Sequence, residues 1–198
     1  MHPIVREAAE GILPAWTVAR PKRRAHMTRV AELMESWARS RGETPMDLQR
    51  WVAAGFLHDS LRDEDPQALR PGVEEEFRDL PGKILHGPGA ARRLDEEGVT
   101  DESLLHAIRF HTLGSQGFDS LGLALFAADF LEPGRRMRQD WRAELRINAP
   151  SALEAVVKEI LSDRIAYLLD NGRPIHPVTL KFWNGLSEGE PWASASEY

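Results

Sequence analysis

A histidine and an aspartate stand side by side at positions 58 and 59, directly after the apolar run 51–57. Side chains at neighbouring helical positions point about 100° apart, which is close enough for both to contact one shared object. Imidazole and carboxylate groups are ligands for zinc, iron, manganese and similar ions, and a carboxylate between two ions can bridge them. His58 and Asp59 therefore allow one helix end to bind one or two metal ions.

Four further residues of these two types lie on or beside the apolar stripes of separate predicted segments. Asp129 stands in the almost wholly apolar segment "SLGLALFAADFLEP". Burial of a lone carboxylate is so unfavourable that the group usually finds a cation or loses its charge. One metal site would satisfy all of these groups. We therefore predict metal ligands at His26, His58, Asp59, His86, His111 and Asp129.

Each of these residues alone also has a simpler interpretation. A single histidine beside an apolar stripe is more often a hydrogen-bonded core residue or a helix cap than a ligand. Asp59 can simply end its helix, and Asp129 can pair with an arginine such as Arg135. The joint pattern is what favours a metal site. The remaining histidines have no comparable neighbours and keep the simpler interpretation: His2, His106 and His176.

The elements that must position these residues are helices. Thr100 resembles an N-cap, and Ser151 with Glu154 resembles a capping box that opens a long helix. No internal repeat and no strong alternating strand pattern is found, so we predict an all-α helical bundle. The clearest amphipathic stripe, with apolar residues at steps of three and four, consists of Met27, Val30, Ala31, Met34, Trp37 and Ala38.

The composition is that of an ordinary globular protein. The chain has 198 residues, of which 42% are hydrophobic and 28% are charged, and this length suits one sizeable core. We predict a single domain over residues 1–198, with its core in residues 20–184 and a flexible tail at 187–198. Because the sequence contains no cysteine, disulfides and thiolate metal sites are excluded.

Charge and hydropathy also exclude several kinds of partner. Arg6 and Glu7 interrupt the N-terminal apolar stretch, so that stretch does not resemble a signal peptide. No charge-free run approaches the ~20 residues of a membrane span. We therefore expect a cytoplasmic protein without a membrane partner. The net charge of −6 argues against binding to a nucleic-acid polymer, which requires a broad basic face.

Two basic clusters nevertheless occur in this acidic chain. Isolated clusters of this kind are usually solvated helix ends. Here Arg23 precedes His26 and Arg135 follows Asp129, so positive charge recurs beside the predicted ligands, an arrangement that suits a polyphosphate. The first cluster is Arg20, Lys22, Arg23 and Arg24, and the second is Arg135, Arg136, Arg138, Arg142 and Arg146.

The order and spacing of several blocks resemble a known family. A histidine, an adjacent His-Asp pair and a distant aspartate, all on helices, form the signature of the HD-domain metal-dependent phosphohydrolases. The matching residues here are His26, His58, Asp59 and Asp129. The blocks "AGFLHDSLRDE", "ILHGPGAARRL", "LLHAIRFHTLGSQGF" and "LALFAADFLEPGRR" resemble, within this family, the bacterial symmetrical bis(5′-nucleosyl)-tetraphosphatases. The resemblance covers residues 20–184.

This resemblance implies an HD-domain helical bundle with an iron-type centre, in which His86 and His111 add ligands for a second ion. Manganese, zinc, cobalt, nickel and magnesium are alternatives, because histidine and aspartate accept several ions. The implied reaction is the hydrolysis of diadenosine tetraphosphate to two ADP by a metal-activated water. Asp59 and Arg62 are the implied catalytic residues. The implied substrate-binding residues are Arg23, Arg62, Thr112 and Arg135.

Arg62 departs from the family pattern. Members usually carry a lysine at this place, in an "HD--K" pattern, whereas this chain has arginine. Arginine keeps the charge and presents a planar fork but does not release its proton, so it can bind phosphate but cannot act as an acid. Its simpler interpretation is a surface ion pair with Asp63, Glu64 or Asp65.

Two alternatives to this function stay open. One is an HD phosphohydrolase that acts on another nucleotide, because metal ligands determine the chemistry more tightly than the base or the chain length. The other is a metal- and nucleotide-binding sensor with poor turnover, for which Arg62 is the sequence feature. A homodimer is also an expectation, because Trp141, Trp183 and Trp192 can line an interface or pack locally.

Overall fold

The computed structural model describes residues 1–188, and the predicted all-α fold is confirmed. These residues form eleven α-helices, two short 3-10 helices and no β-strand. In chain order the helices are α1 (Pro3–Ala9), α2 (Pro21–Arg41), α3 (Pro45–Leu57), α4 (Pro66–Leu69), α5 (Glu75–Arg78), α6 (His86–Glu96), α7 (Glu102–Phe110), α8 (Ser120–Leu131), α9 (Gln139–Asn148), α10 (Leu153–Asp170) and α11 (Pro177–Leu186).

Helices α2 and α3 form one side of the bundle and both have clear end signals. Pro21 begins α2, where a missing backbone N–H is tolerated, and Gly42 ends it with a left-handed φ of 72°. The hydroxyl of Thr44 caps α3 by accepting the backbone N–H of Asp47 at 3.1 Å. All six apolar residues predicted for the stripe of α2 are buried, so that prediction is confirmed.

Gly55 lies where α3 meets α2. A Cβ atom added at Gly55 would come within 2.6 Å of Cα and 2.8 Å of the backbone N of Ala31, so a larger residue would separate the helices. This close approach places the end of α3 beside the second turn of α2. The imidazole rings of His26 and His58 are consequently only 5.5 Å apart, measured between centroids.

Helix α8 lies at the centre of the bundle. Its residues from Leu121 to Ala128 are all buried, and it contacts α2, α3, α7, α9 and α10. A helix surrounded by other helices must be apolar around its circumference, which explains the composition of this segment. The side chain of Asp119 caps α8 by accepting the N–H of Gly122 at 3.1 Å. Asp129, near the other end, is the charged exception within this helix.

The connection between α3 and α6 has an apolar cluster of its own. Phe77 of α5 is buried there and its ring lies 5.4 Å from the ring of Phe110, between centroids. Leu85, directly before α6, and Leu113, after α7, are buried in the same cluster. The cluster therefore fixes the start of α6 next to the end of α7.

Two helix caps differ from the sequence prediction. Asp101, and not Thr100, caps α7, because the Asp101 carboxylate accepts the N–H of Leu104 at 3.1 Å. The predicted capping box of Ser151 and Glu154 is also wrong. Helix α10 begins one residue later than the box requires, with Ala152 at its N-cap. The Ser151 hydroxyl instead donates to the carbonyl oxygen of Asn148, the last residue of α9.

Both ends of the chain bear on the predicted limits of the domain. Helix α1 adds Val5 and Ala8 to the main core, so buried residues occur before residue 20 as well. Most of the predicted tail, from residue 189 onward, lies outside the described residues. Within residues 1–188, no helix has the length and apolar character needed to span a membrane.

Candidate metal centre

Five parts of the fold contribute to one cluster of histidine and aspartate side chains. His26 lies in α2, His58 and Asp59 follow α3, His86 begins α6, His111 follows α7, and Asp129 lies in the last turn of α8. The histidines and Asp59 are each no more than 5% exposed, whereas the Asp129 side chain is 22% exposed. The structure thus brings together all six residues that the sequence analysis selected.

Asp59 lies in the middle of the cluster. Its Oδ1 atom is 2.9 Å from Nε2 of His86 and 3.7 Å from Nε2 of His111. Its Oδ2 atom is 3.5 Å from Nε2 of His58 and 3.6 Å from Nε2 of His26. The two oxygens of one carboxylate therefore face two different pairs of histidines, an arrangement in which Asp59 can bridge two ions.

The donor atoms are close enough to share ions. Oδ1 of Asp129 lies 3.0 Å from Nε2 of His26, and Nε2 of His86 lies 3.0 Å from Nε2 of His111. Because the groups that can hold an ion overlap, the cluster has donors for one ion or for two. Three groups have their ligand atoms within 4.8 Å of one another: His26, His58 and Asp59; His58, His111 and Asp129; and Asp59, His86 and His111.

Backbone carbonyls orient two of the imidazole rings. Nδ1 of His58 is 2.9 Å from the carbonyl oxygen of Gly55, and Nδ1 of His111 is 2.8 Å from that of Ile108. These contacts place the ring proton on Nδ1, because a carbonyl oxygen only accepts. Nε2 of each ring is then a lone-pair donor that faces the cluster, as in metal-binding histidines. The hydroxyl oxygen of Thr112 lies 3.1 Å from Nε2 of His111.

Buried nitrogen atoms without a hydrogen-bond partner also fit a metal ion. Within residues 1–188, such atoms include Nε2 of His26 and Nε2 of His58, both of which face the cluster. Nε2 of His26 is close to Asp129, but the angles there are not those of a hydrogen bond. An unsatisfied buried polar atom is costly, and a divalent ion satisfies imidazole nitrogen and carboxylate oxygen together. The residues of the cluster therefore fit a divalent ion.

The electrostatics of His111 and of the two carboxylates favour the protonation states that metal ligands need. Burial, followed by the neighbouring His86 and His58, lowers the pKa of His111 to about 3, so this ring is neutral at neutral pH. Burial works against ionisation of Asp59, but the neighbouring His58 and His86 hold its pKa well below the usual range. Burial also works against ionisation of Asp129, whose side chain is partly exposed, but its contact with His26 lowers its pKa. Ionised carboxylates and neutral imidazoles are the forms that bind metals.

Two arginines lie against the carboxylates of the cluster. Nη1 of Arg23 donates to Oδ2 of Asp59 at 2.6 Å, and Nη2 of Arg135 donates to Oδ1 of Asp129 at 2.9 Å. The simpler interpretation of Asp129, a pair with Arg135, is thus present together with the cluster. The two arginine side chains are 25% and 43% exposed. The two guanidinium groups therefore place positive charge between the carboxylates of the cluster and the solvent.

Arg62 is not brought into contact with the cluster through its side chain. Its backbone N–H donates to the carbonyl oxygen of Asp59 at 3.0 Å, which fixes its place one turn after the His-Asp pair. The side chain is half-buried and forms no hydrogen bond or ion pair with any residue of the described part of the chain. The surface ion pair considered for Arg62 is therefore not formed, and Asp63 instead accepts the N–H of Arg20 at 2.8 Å.

Glu132 is a residue of this region whose role the sequence analysis missed. It is 2% exposed and lies 3.2 Å from Nδ1 of His26, 2.5 Å from Nε of Arg29 and 2.6 Å from the N–H of Gly134. These contacts outweigh its burial and lower the pKa of Glu132 to about 2. They also help to raise the pKa of His26 in spite of burial. The available signal was its spacing, because Glu132 follows Asp129 by one helical turn.

Two arginines of the second basic cluster have a structural role. Arg142 donates to the carbonyl oxygen of Phe130, and Nη1 of Arg146 donates to that of Leu131 at 2.7 Å. These carbonyls belong to the C-terminal end of α8, where helical acceptors lack partners within the helix. Arg142 and Arg146 therefore cap α8.

The three histidines outside the cluster have the simpler roles that the sequence indicated. His2 and His176 are the N-caps of α1 and α11, where a ring nitrogen of each accepts a backbone N–H. Nε2 of His106 lies 2.9 Å from the hydroxyl oxygen of Ser115. None of the three belongs to a group of donors that could hold a metal within residues 1–188.

A buried histidine and aspartate cluster of this order, carried by a helical bundle, defines a class of protein. The family model described as "HD domain" matches residues 23–171. The chain belongs to the HD-domain family, and the resemblance seen in the sequence is confirmed. Its fold and its cluster of His and Asp donors are those of a metal-dependent HD-domain phosphohydrolase.

Comparison with individual proteins narrows this class. The chain is 32% identical, over 71% of its length, to the symmetrical bis(5′-nucleosyl)-tetraphosphatase of Halalkalibacterium halodurans, and it covers 77% of that protein. It is 29% identical, over 82% of its length, to the same enzyme of Staphylococcus aureus, covering 86%. The crystal structure of a predicted HD superfamily hydrolase involved in NAD metabolism from Clostridium acetobutylicum matches with a TM-score of 0.72 and 26% identity, over 84% of this chain and 89% of that one.

Proposed function

We propose that this phosphohydrolase cleaves diadenosine tetraphosphate symmetrically and releases two molecules of ADP. The observation that carries the proposal is the buried donor cluster with an arginine on each of its carboxylates, which suits a divalent ion and a strongly anionic substrate. The names of relatives at 26% to 32% identity support this substrate. The proposed ligands of an iron-type centre are His26, His58, Asp59, His86, His111 and Asp129.

The ligand residues have distinct tasks in this proposal. When bound, a divalent ion activates water and offsets charge on the phosphate oxygens. His58 and His111 would hold the ion through Nε2, because backbone carbonyls hold the Nδ1 proton of each ring. Asp59 contributes both carboxylate oxygens and so holds the two pairs of histidines in one arrangement. We infer that Asp59 is the residue on which the centre depends most.

The arginines supply positive charge where negative charge develops during the reaction. The oxygen of water bonds to one of the two central phosphorus atoms, and the bond between that same phosphorus atom and the bridging oxygen breaks. The second ADP leaves with the bridging oxygen, and one proton is released or taken up by that oxygen. Arg23 and Arg135, next to Asp59 and Asp129, are placed to stabilise charge on the phosphoryl oxygens. Thr112 and Arg62 are further proposed contacts to the phosphates.

Product analysis tests this proposal. The purified protein, with its metal content measured, is incubated with diadenosine tetraphosphate in water enriched in oxygen-18. Anion-exchange chromatography and mass spectrometry should show ADP as the sole nucleotide product, with the label in one of every two ADP molecules. ATP together with AMP would contradict symmetrical cleavage. Binding of the dinucleotide without any product would instead support the alternative function, a metal- and nucleotide-binding sensor with poor turnover.

A hydrolase for another nucleotide is the second candidate. It is favoured by the likeness to the Clostridium acetobutylicum hydrolase, which is described as involved in NAD metabolism. The metal ligands do not select the base or the number of phosphates. Parallel assays with NAD and with nucleoside di- and triphosphates separate the candidates. If kcat/KM for one of these compounds is higher than kcat/KM for diadenosine tetraphosphate, the second candidate function replaces the first.

A further inference from the structure

Arg164, on α10, lies beside the cluster in a fixed position. Its Nη2 atom donates to the carbonyl oxygen of Thr112 at 2.8 Å, and its guanidinium carbon lies 5.2 Å from the ring centroid of Phe126. The side chain is half-buried. One hydrogen bond and one ring contact therefore hold the guanidinium before any ligand binds.

Arg164 is not paired with a carboxylate in the part of the chain that the structure describes. Within the described residues it forms no ion pair, whereas the arginines nearest the carboxylates do: Arg23 with Asp59, Arg29 with Glu132, and Arg135 with Asp129. Burial lowers the pKa of Arg164 and the positive charge of Arg135 adds to this effect, whereas the nearby carboxylate of Asp129 works against it. A half-buried cation that forms no ion pair is costly unless an anion from outside the chain completes the site.

The neighbours of Arg164 place this cation at the metal cluster. Thr112, whose carbonyl it contacts, has its hydroxyl 3.1 Å from Nε2 of His111. Phe126, over which it lies, precedes Asp129 by one turn of α8, so the two side chains lie on the same side of that helix. The guanidinium thus lies between the turn that carries His111 and the helix that carries Asp129.

We propose that Arg164 binds a phosphate group of the nucleotide polyphosphate next to His111 and Thr112. For the identity of the nucleotide this inference rests on the proposed function. One N–H group is held by the Thr112 carbonyl, and the remaining donors of the planar fork match two phosphate oxygens. Because the side chain is held in place beforehand, little conformational entropy is lost on binding.

A purely structural role makes a different prediction. If Arg164 only held the turn at Thr112, its loss would disturb His111 and lower the metal content, while binding of phosphate per loaded chain would not change. Arg164→Gln separates the roles, because an amide N–H can still reach the carbonyl but carries no charge. Arg146→Gln is the matched control, since Arg146 also donates one hydrogen bond to a backbone carbonyl and has no ion pair within residues 1–188.

The experiment is calorimetric titration of the metal-loaded proteins with ADP, with the metal content measured before and after. We expect Arg164→Gln to raise the Kd for ADP about 10- to 100-fold at unchanged metal content, the scale of a lost hydrogen bond to a charged group. Arg164→Lys, which keeps the charge without the fork, should fall between this variant and the parent. It serves as the test if the glutamine variant does not fold. Arg146→Gln should bind ADP within about twofold of the parent, since rim and cap substitutions leave the charge at the site intact.

An Arg164→Gln protein that binds ADP as the parent does, or that loses metal without a change in ADP binding per loaded chain, would overturn the inference. So would a parent protein that does not bind ADP at all. Failure of the proposed function looks different. If the parent protein makes no ADP from diadenosine tetraphosphate yet binds ADP through Arg164, the proposed substrate is contradicted and the proposed phosphate contact stands. If the parent protein and the Arg164→Gln protein make ADP at the same rate, only the inference about Arg164 is contradicted.

Discussion

Oε1 of Glu132 lies 3.2 Å from Nδ1 of His26, although the two residues are 106 positions apart in the chain. Nε2 of the same His26 ring faces Asp129 and Asp59. Glu132 is in turn held by Arg29 and by the N–H of Gly134. A carboxylate behind the ring of a metal-binding histidine fixes its orientation and raises its basicity. The connection after α8 therefore orients a side chain of α2.

The first prediction concerns this contact. Glu132→Ala should weaken metal binding by about 10- to 100-fold, because His26 loses the partner of its Nδ1 proton. Glu132→Gln, whose carbonyl oxygen can still accept that proton, should weaken it less. Competition with a chelator measures the affinity. Glu35→Ala is the control, because it removes a glutamate from an exposed ion pair with Arg39 on α2, the helix that carries His26. Equal affinities for the Glu132→Ala and Glu35→Ala proteins would show that Glu132 does not position His26.

The second prediction concerns Arg62. If its unpaired side chain faces the phosphates, Arg62→Ala should lower kcat/KM by roughly 10- to 1000-fold, the range for loss of one phosphate-directed donor. Metal content should not change, because no proposed ligand is lost. Arg62→Lys, which restores the residue usual in the family, should keep much of the activity if charge alone matters. Steady-state kinetics decide, with the exposed Arg39→Ala as control. Rates for Arg62→Ala within about twofold of the parent would assign Arg62 to the surface.

The third prediction concerns Gly55 at the crossing of α2 and α3. A Cβ atom at this residue would lie 2.6 Å from Cα of Ala31, so Gly55→Ala should destabilise the fold by about 1–3 kcal/mol or more through overpacking. Helix propensity alone predicts the opposite sign, a gain of about 1 kcal/mol. Urea unfolding followed by circular dichroism measures the difference. A more stable Gly55→Ala protein would show that the two helices do not meet at Gly55.

The fourth prediction concerns the pH dependence of stability. Arg50 donates to both carboxylate oxygens of Asp101, at 2.6 and 2.7 Å, and the N–H of Leu104 donates as well. These contacts outweigh the burial of Asp101 and lower its pKa. A group whose pKa is lower in the folded chain stabilises the fold above its unfolded value of about 3.9, and this contribution is lost as the pH falls through the folded pKa.

Asp101→Asn keeps an oxygen that can cap α7 but removes the charge. It should reduce the free energy of unfolding by about 1–3 kcal/mol at pH 7, the scale of hydrogen bonds to a charged group. The difference from the parent should shrink as the pH is lowered below about 4. Urea unfolding at several pH values measures it. A difference that is constant from pH 7 to pH 3 would mean that the Asp101 charge does not contribute.

Periodic apolar residues allowed much of the fold to be predicted. The stripe of α2 and the apolar segment of α8 are buried as their spacing indicates, because burial of a regular stripe is a local property of the sequence. Caps were less predictable. At α7 both Thr100 and Asp101 are suitable residues, and a shift of one position decides which of them caps the helix.

The histidines and aspartates of the site could be selected from the sequence because such residues are rare on apolar stripes. Glu132 and Arg164 could not, since charged residues at helix ends and along helices are common and most of them are solvated. What distinguishes these two is the partner each one meets across the fold, His26 for Glu132 and the Thr112 carbonyl for Arg164. Contacts between distant parts of a chain leave no periodic signal in its sequence.

The central claim is a metal centre in which Asp59 touches both pairs of histidines, and the metal content of an Asp59→Ala protein tests it most directly. We predict that this variant, purified and reconstituted beside the parent, retains little or no metal by mass spectrometry and no activity, while its helicity is close to that of the parent, because ligands are lost and the apolar stripes remain. His106→Ala, which removes a histidine outside the cluster, should retain the metal of the parent. An Asp59→Ala protein with full metal content and normal hydrolysis would contradict the assignment of this centre.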